Sequence, residues 1–455
     1  MLELREAFGW LSGACLYGEP SVRVSGVCTD TRSIAPGELF VALRGERFDA
    51  HAFIPAAQER GAAAVIFDRW VEGIRTPAIR VADTRRALGE IARGWRSRLP
   101  VRVVTVAGAN GKTTVKEMLS AVLAQAYGAD ARLATQGNLN NDVGVPLTLL
   151  RLRMQHRAAA IELGTNHPGE IAWLAQVARP DVALVNNAQR EHQEFLDGTE
   201  GSARENGASI AALSGEGIAV FPADDPQAPL WRALAGPRRR IEFGLDDALQ
   251  RFEVAAAANA ESARFEMKIG QARATVRLPV EGLHNVRNAL AAAACAHALG
   301  IDAATIAAGL ERCAPPPGRL VRRRAAAGAA LIDDTYNANP DSVRAAIDVL
   351  ARCAGLRVLV LGDMGEVGER GPEFHREVGD YARERGIERL LAIGAASAAT
   401  VQAFGAGAAH HDDVDSLVAG VAALAGEGAT VLVKGSRFMR MERVVAALAQ
   451  APVAA

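Results

Sequence analysis

The stretch VRVVTVAGANGKTTVKEMLSAVLAQA, Val101 to Ala126, decides how the chain is read. VRVVTVAG is a near-continuous apolar run of the kind that a strand buried on both faces needs. VKEMLSAVLAQA, from Val115, reads as a helix. Between them lies the turn Gly108-Ala109-Asn110-Gly111-Lys112-Thr113-Thr114. A glycine-rich turn from a buried strand into a helix suits phosphate, because glycines let backbone N–H groups face its oxygens and the helix N-terminus adds partial positive charge. Lys112 then stands as a point charge for the β- and γ-phosphates of ATP, and Thr113 offers a hydroxyl to Mg²⁺. Only two residues separate the glycines, where the common G-x-x-x-x-G-K-[ST] loop has four. What the ATP is spent on has to come from the rest of the chain.

Outward from this loop, apolar runs recur at AAAIELG (Ala158 to Gly164), DVALVNN (Asp181 to Asn187) and GIAVFPADD (Gly217 to Asp225), with helix-length segments between them. Strands alternating with helices imply a mostly parallel sheet. RFEVAAAANAESARFEMKIGQARATVRLPV, Arg251 to Val280, reads as antiparallel ribbon, and LHNVRNALAAAACAHALG, Leu283 to Gly300, as a closing helix. Upstream, LFVAL, AAVIF and AIRV (Leu39 to Val81) are short strands of a small α/β unit, and a helical stretch begins near Asp83. Downstream, the prolines of CAPPPGR, Cys313 to Arg319, mark a linker. Beyond it ALIDDT, RVLVLGDM, LLAIG and TVLVKGS alternate with helices such as DSVRAAIDVLARC and FMRMERVVAALAQ, a Rossmann-like pattern without G-x-G-x-x-G. The expected architecture is α/β with three domains: a small N-terminal α/β domain over residues 1–82, a central P-loop parallel-sheet ATP-binding domain over 83–313, and a C-terminal Rossmann-like domain over 314–455.

Composition bounds the rest. The 455 residues suit two to four domains at roughly 100–200 residues each. The 51 basic and 52 acidic residues nearly cancel, so no net field points to nucleic acid or membrane. Arg238 to Arg240 and Arg322 to Arg324 read as solvated surface arginines. MLELREAFGW lacks a signal-peptide core, and no apolar run is long enough to span a bilayer. The five cysteines have no C-x-x-C spacing and read as reduced, mostly buried thiols of a cytoplasmic protein, with monomer as the default state.

Two features could complete a metal site beside the loop. Glu162 closes the strand AAAIEL and His192 lies just beyond DVALVNN, and in a parallel sheet neighbouring carboxyl ends meet in one crevice. A lone His is more often structural, but a shared edge with the phosphate loop favours both as ligands. GNLNNDVGVP (Gly137 to Pro146) and NANP (Asn337 to Pro340) are dense in asparagine, which suits either turn chemistry or a ligand wall.

GANGKTT, GNLNNDVGVPLTLLRL, IELGTNHPGEIAWL, LHNVRNALAAAA and PGR followed by LIDDTYNANPDS together resemble the Mur ligases of peptidoglycan synthesis. TDTRSIAPGELFVALRGERFDAHAFIPAA, GDMGEVGE and VLVKGSR resemble the branch that adds D-alanyl-D-alanine to UDP-N-acetylmuramoyl-tripeptide, and the shortened loop is the form this family uses. The resemblance implies that ATP phosphorylates the tripeptide's terminal carboxylate and that the dipeptide amine then displaces phosphate. It also implies residue roles. Gly108, Asn110, Gly111, Lys112, Thr113 and Thr114 hold the phosphates, and Thr113, Glu162 and His192 serve Mg²⁺. Asn285 and Asn288 flank adenine, and Arg319 and Asp334 reach the nucleotide's phosphates and ribose. Asp30 and Arg32 meet the UDP-sugar, Asn138 and Asn141 wall the muramoyl peptide, and Lys434, Ser436 and Arg437 lie near the dipeptide.

One departure stands out. The family commonly carries, a short way after the metal-binding histidine, a lysine that CO₂ converts to a metal-ligating carbamate. Here EHQEFLDGTEGSARENGASI, Glu191 to Ile210, has no lysine, and Asn206 stands at that spacing. Either Glu205 supplies the carboxylate directly, the reading preferred here, or the second metal is held more loosely. Three alternatives frame the test: a third-residue-adding Mur ligase, which would be expected to show a D-N-P-R-like motif after GDMGE; folylpolyglutamate synthase; and a nucleotide-binding regulator without chemistry.

Overall fold

Strand Arg102–Ala107 is the axis of the molecule, since every residue after Arg102 is buried and its side chains alternate between two covered faces. The structure, a computed structural model, describes residues 1–45, 48–191, 193–257 and 264–449. Around the axis strand lies a nine-stranded sheet in the order Ala272–Val276, Phe265–Ile269, Val254–Ala256, Arg239–Leu245, Ile218–Pro222, Val182–Val185, Arg102–Ala107, Ala158–Glu162 and Arg132–Ala134. The strands from Arg132–Ala134 to Val254–Ala256 run parallel, and the last two close the sheet as an antiparallel ribbon. From the axis strand the chain first builds outward on one side and then crosses to Val182–Val185 on the other. That reversal opens a crevice at the carboxyl ends of the central strands, where α/β sheets bind ligands.

Helices Lys112–Tyr127, Leu283–Ala298 and Ala303–Glu311 cover one face and bury Val104, Val106, Leu119 and Leu290. Helices Thr84–Ser97, Gly144–Leu150 and Glu170–Ala178 cover the other with Val103, Ile161 and Leu174. Asp83 starts the first of these by accepting the N–H groups of Arg85 and Arg86. Leu4, Leu39 and Ile79 join this second cluster, so the N-terminal sheet shares a core with the central one. That N-terminal sheet runs Cys15–Tyr17, Ala78–Arg80, Ala64–Phe67, Leu39–Val41 and Val27–Cys28, parallel except for its first pair.

Past the proline linker a six-stranded sheet runs Val321–Arg324, Ala330–Asp334, Ala429–Lys434, Leu356–Gly362, Arg389–Ile393 and Ala408–His411, parallel but for the first strand. Its two faces are buried by separate clusters around Leu359 and Val360. The observed architecture is thus the expected α/β one.

Several local readings change. Arg322 to Arg324, exposed as expected, belong to an antiparallel edge strand, with Arg322 paired to Glu281 across to the central domain. Arg239 and Arg240 begin a strand whose apolar half, Ile241 and Phe243, is too short to be read from sequence. FMRMERVVAALAQ does not start a helix at Phe438, because Arg440 sits at φ +51° and the helix begins at Glu442; Gln450 lies outside the described residues. Of the cysteines only Cys295 and Cys313 are buried, and Cys15 is exposed, so the thiols are free but not mostly buried. No described helix is long and apolar enough to cross a membrane.

Candidate active site

The phosphate loop needs both its glycines. Gly108 has φ +129°, and a Cβ there would stand 2.9 Å from the Asn186 backbone nitrogen; Gly111 has φ +82°, and a Cβ would stand 2.4 Å from Asn288 Oδ1. An L side chain would be strained and blocked at each. Gly111 begins helix Lys112–Tyr127 with no side-chain cap, which leaves that N-terminus to a ligand. The strand end Asn186-Asn187 holds the loop's middle: Asn187 Oδ1 accepts the Asn110 N–H at 2.9 Å, and the amides of Asn186 and Asn187 donate to Asn110 O at 2.8 and 2.9 Å. Lys112 Nζ donates to Gly108 O (2.5 Å), Ala109 O (3.1 Å) and Glu191 Oε2 (3.1 Å).

On the other flank, Glu162 ends its strand buried. Its Oε1 accepts the Thr113 hydroxyl at 3.2 Å and the Asn140 amide at 2.8 Å, while buried Oε2 has no hydrogen-bond partner among the described residues. An unpaired carboxylate oxygen is costly to bury, so it marks a place for a cation. Together with the Thr113 hydroxyl it forms a hard-oxygen donor pair that suits Mg²⁺, which completes its shell with phosphate oxygens and water. Among the described residues no cluster of three His, Cys, Asp or Glu side chains is placed to hold a metal unaided. His192, the other expected ligand, lies outside the described residues.

The C-terminal domain closes the third side. Arg319 Nη2 donates to the Thr113 hydroxyl at 2.9 Å, with its guanidinium 4.2 Å above the Tyr336 ring centroid. Asn110 and Asn339 exchange amide hydrogen bonds of 2.8 and 3.3 Å, and Asn339 also caps helix Pro340–Leu350 through Ser342. Arg190 forks onto Asp341 and Glu377, which holds its charged form firmly despite partial burial. Within that domain Lys434 Nζ bonds Asp334 Oδ2 at 2.7 Å and Asn337 O at 2.8 Å.

These surfaces enclose a cleft of about 980 Å³. Gly111, Lys112, Glu162, Glu191, Arg319 and Ser436 are among its lining residues. A second crevice of about 320 Å³ shares Asn110 and Gly111 and is lined by Thr114, Asp225, His284, Asn285 and Asn288. There Asn288 donates to Asn285 Oδ1 and accepts from Asn186, a chain of amides on one helix face. Burial holds the His284 imidazole down at about 4, with Lys434 adding to the effect and Asp334 opposing it; burial likewise raises Asp225.

Models of known families match this arrangement along the chain. The Mur ligase middle domain matches residues 106–296, the glutamate ligase domain of Mur ligases 318–437, and the catalytic domain of the Mur ligase family 23–96. UDP-N-acetylmuramoyl-tripeptide–D-alanyl-D-alanine ligase from Escherichia coli (strain K12) is 42% identical over 430 residues, 94% of either chain. The chain belongs to the Mur ligase family. Solved Mur ligases overlay it throughout: MurF from Acinetobacter baumannii has a TM-score of 0.90 at 33% identity and covers 98% of both chains. MurF ligase from Thermotoga maritima, solved in complex with ADP, has a TM-score of 0.81 at 27% identity, covering 94% of this chain and 97% of that one.

Of the residues expected from Mur ligase likeness, Asn110, Gly111, Lys112, Thr113, Glu162, Arg319 and Asp334 converge on the two crevices, and Thr114, Asn285 and Asn288 line the smaller one, while Gly108 lines neither and gives its N–H to Asn206. Lys434, Ser436 and Arg437 line the main cleft, with Lys434 Nζ bonded to Asp334. Asn138 lines it too. Asn141 also lines it but spends Oδ1 on the N–H groups of Val143 and Gly144, a helix-start turn. Asp30 and Arg32 fork onto each other at the surface of the N-terminal domain, and the pairing holds the Asp30 carboxyl at about 2. Neither is among the described residues lining the cleft.

The preferred substitute for the missing lysine is not where the reading put it. Glu205 is buried against helix Glu170–Ala178, with its oxygens taking the N–H groups of Gly169 (2.7 Å) and Ile171 (2.8 Å). A carboxylate spent on a helix N-terminus is satisfied there. It faces away from the phosphate loop because adjacent residues on a helix do not share a face. Its neighbour Asn206 faces the loop instead and accepts the Gly108 N–H at 2.7 Å. Sequence reasoning passed over Asn140, Asn186, Asn187 and Glu191. Asparagine density flagged the first, but the others were hidden as ordinary strand-end polar residues.

Proposed function

We propose that this Mur ligase joins D-alanyl-D-alanine to UDP-N-acetylmuramoyl-tripeptide with ATP, giving the pentapeptide precursor, ADP and phosphate. Likeness over nearly the full length to ligases of that name supports this acceptor over the other amide ligases of the superfamily. The observation that carries the chemistry is the buried Glu162 oxygen, unpartnered among the described residues, beside an uncapped glycine-loop helix at the floor of a cleft of about 980 Å³.

The reading assigns each surface a task. Adenine enters the smaller crevice against Asn285 and Asn288, and the phosphates lie on the loop. Lys112 turns from its loop carbonyls to the phosphates, and Arg319 adds a second cation from the C-terminal domain. The tripeptide carboxylate oxygen attacks the terminal phosphorus and ADP leaves. The dipeptide nitrogen then attacks the acyl carbon, loses a proton, and inorganic phosphate departs. Phosphorylation converts a carboxylate, a poor acceptor for an amine, into one with a good leaving group, and the enzyme's share is positioning and charge neutralisation. Glu162 and Thr113, with His192 as the third expected ligand, would hold Mg²⁺, which would screen the repulsion between the phosphate and the incoming carboxylate.

The domain limits near residues 82 and 313 belong to the same reading, supported by the Asp83 helix cap and by the loop between Glu311 and Val321. So does a cytoplasmic monomer, the compartment where ATP is available. Phosphate release and product mass test the function: release requires both the tripeptide precursor and D-alanyl-D-alanine, and the pentapeptide appears. Equal release without the dipeptide would refute it.

A further inference from the structure

A buried polar relay connects the phosphate loop to helix Gly198–Ala211. Asn206 is wholly buried. Its Oδ1 faces the Gly108 N–H, a group that can only donate, so its amide nitrogen must face the other way. There it donates to Glu191 Oε1 at 2.8 Å, which also accepts the Ser202 hydroxyl at 3.1 Å. Glu191 Oε2 accepts from Lys112 Nζ at 3.1 Å, and the Glu191 side chain is only 3% exposed.

Burying a carboxylate this deeply costs several kcal/mol unless it is matched. Here one oxygen is fixed by neutral donors and the other rests on the lysine that the phosphates will claim. Once Lys112 turns to the phosphates, Glu191 Oε2 faces the cleft floor as an unmatched negative charge. On the opposite flank Glu162 Oε2 is buried and has no partner among the described residues. The two carboxylates touch consecutive loop residues, Lys112 and Thr113, so they bracket the place of the terminal phosphate.

We propose that Glu191, oriented by Asn206, is the built-in carboxylate that faces the divalent cation beside the terminal phosphate, so that this chain needs no CO₂-derived carbamate. Asn206 stands where the family's lysine is expected, and its amide donates to the Glu191 carboxylate, which carries the negative charge instead. Glu205, one position away, is committed to a helix cap and is not that group. The proposal rests on the ATP-ligase reading.

The test uses the full chain with Mn²⁺ and a non-hydrolysable ATP analogue, read by electron paramagnetic resonance. Glu191→Gln keeps acceptors for Asn206 and Ser202 and is expected to weaken Mn²⁺ binding in the analogue complex, leaving analogue binding without metal intact. Asn206→Ala, which removes the amide that positions Glu191 together with the acceptor of the Gly108 N–H, is expected to weaken Mn²⁺ by roughly 10–100-fold. In parallel, wild-type turnover should be equal in CO₂-free buffer and with bicarbonate, and ¹³C-bicarbonate should give no carbamate signal. Unchanged Mn²⁺ affinity in Glu191→Gln, or turnover stimulated by bicarbonate, would overturn the proposal. Absence of any pentapeptide from wild type would instead strike the ligase reading, which the Mn²⁺ measurement does not use.

Discussion

Replacing Lys112 with Ala should damage two properties that can be separated. Lys112 Nζ lies 3.1 Å from Glu191 Oε2, with the side chains 15% and 3% exposed. At an effective dielectric near 20 that pair attracts by roughly 5 kcal/mol before desolvation is subtracted. Removing the cation alone leaves a buried carboxylate oxygen without its partner, and such losses run to about 3–5 kcal/mol. Lys112→Ala should therefore lower unfolding stability by about 3 kcal/mol, measured by urea titration. It should also abolish turnover, since removal of a single charge-stabilising donor costs roughly 100–1,000-fold. Binding of the UDP-linked precursor should survive. The double variant Lys112→Ala/Glu191→Gln should regain most of the stability and none of the activity, a non-additivity expected of groups in contact. If Lys112→Ala were as stable as wild type, or if the double variant were less stable than the single one, the buried pair described here would not govern that site.

Three further outcomes follow from the same geometry. Gly111→Ala forces an L residue to φ +82° against Asn288 Oδ1, so ATP affinity should fall at least tenfold by calorimetry while the fold persists. Arg190→Ala removes a partly buried fork between domains whose partners are 22% and 29% exposed, worth about 2 kcal/mol between the surface and buried limits. That is roughly a 30-fold shift toward a state in which the central and C-terminal domains part, visible as a larger radius in small-angle scattering and a raised KM for ATP. His284 has its folded value lowered from 6.5 to about 4 by burial. Its contribution to stability is therefore complete above pH 6.5 and is lost as pH falls toward 4, because the unfolded chain takes up the proton first. His284→Gln should flatten the acid side of the stability–pH curve, measured by urea midpoints from pH 4 to 7.

Much of this was legible because local and global signals agree. VRVVTVAG could only be a two-face-buried strand, and its glycine turn and helix followed from spacing, so the parallel sheet and its crevice were predictable. Site residues at strand ends, Glu162 and the loop itself, were legible for the same reason. What escaped depends on side-chain direction. Glu205 and Asn206 are neighbours in sequence, and only the helix phase decides which one faces Gly108. Asn339 caps a helix and crosses to Asn110 at once, so the choice between turn chemistry and ligand wall was not a choice there. Glu191 carries no motif of its own, and its role emerges only where Lys112, Ser202 and Asn206 meet.

The central claim is that ATP is spent on activating the tripeptide's carboxylate. It can be tested by supplying UDP-N-acetylmuramoyl-tripeptide labelled with ¹⁸O in both oxygens of its terminal carboxylate, together with ATP and D-alanyl-D-alanine. An acyl phosphate leaves with the oxygen that attacked phosphorus, so each inorganic phosphate should carry one ¹⁸O and each pentapeptide amide should retain the other. Unlabelled phosphate formed alongside the pentapeptide, with the second label leaving in water, would contradict the account.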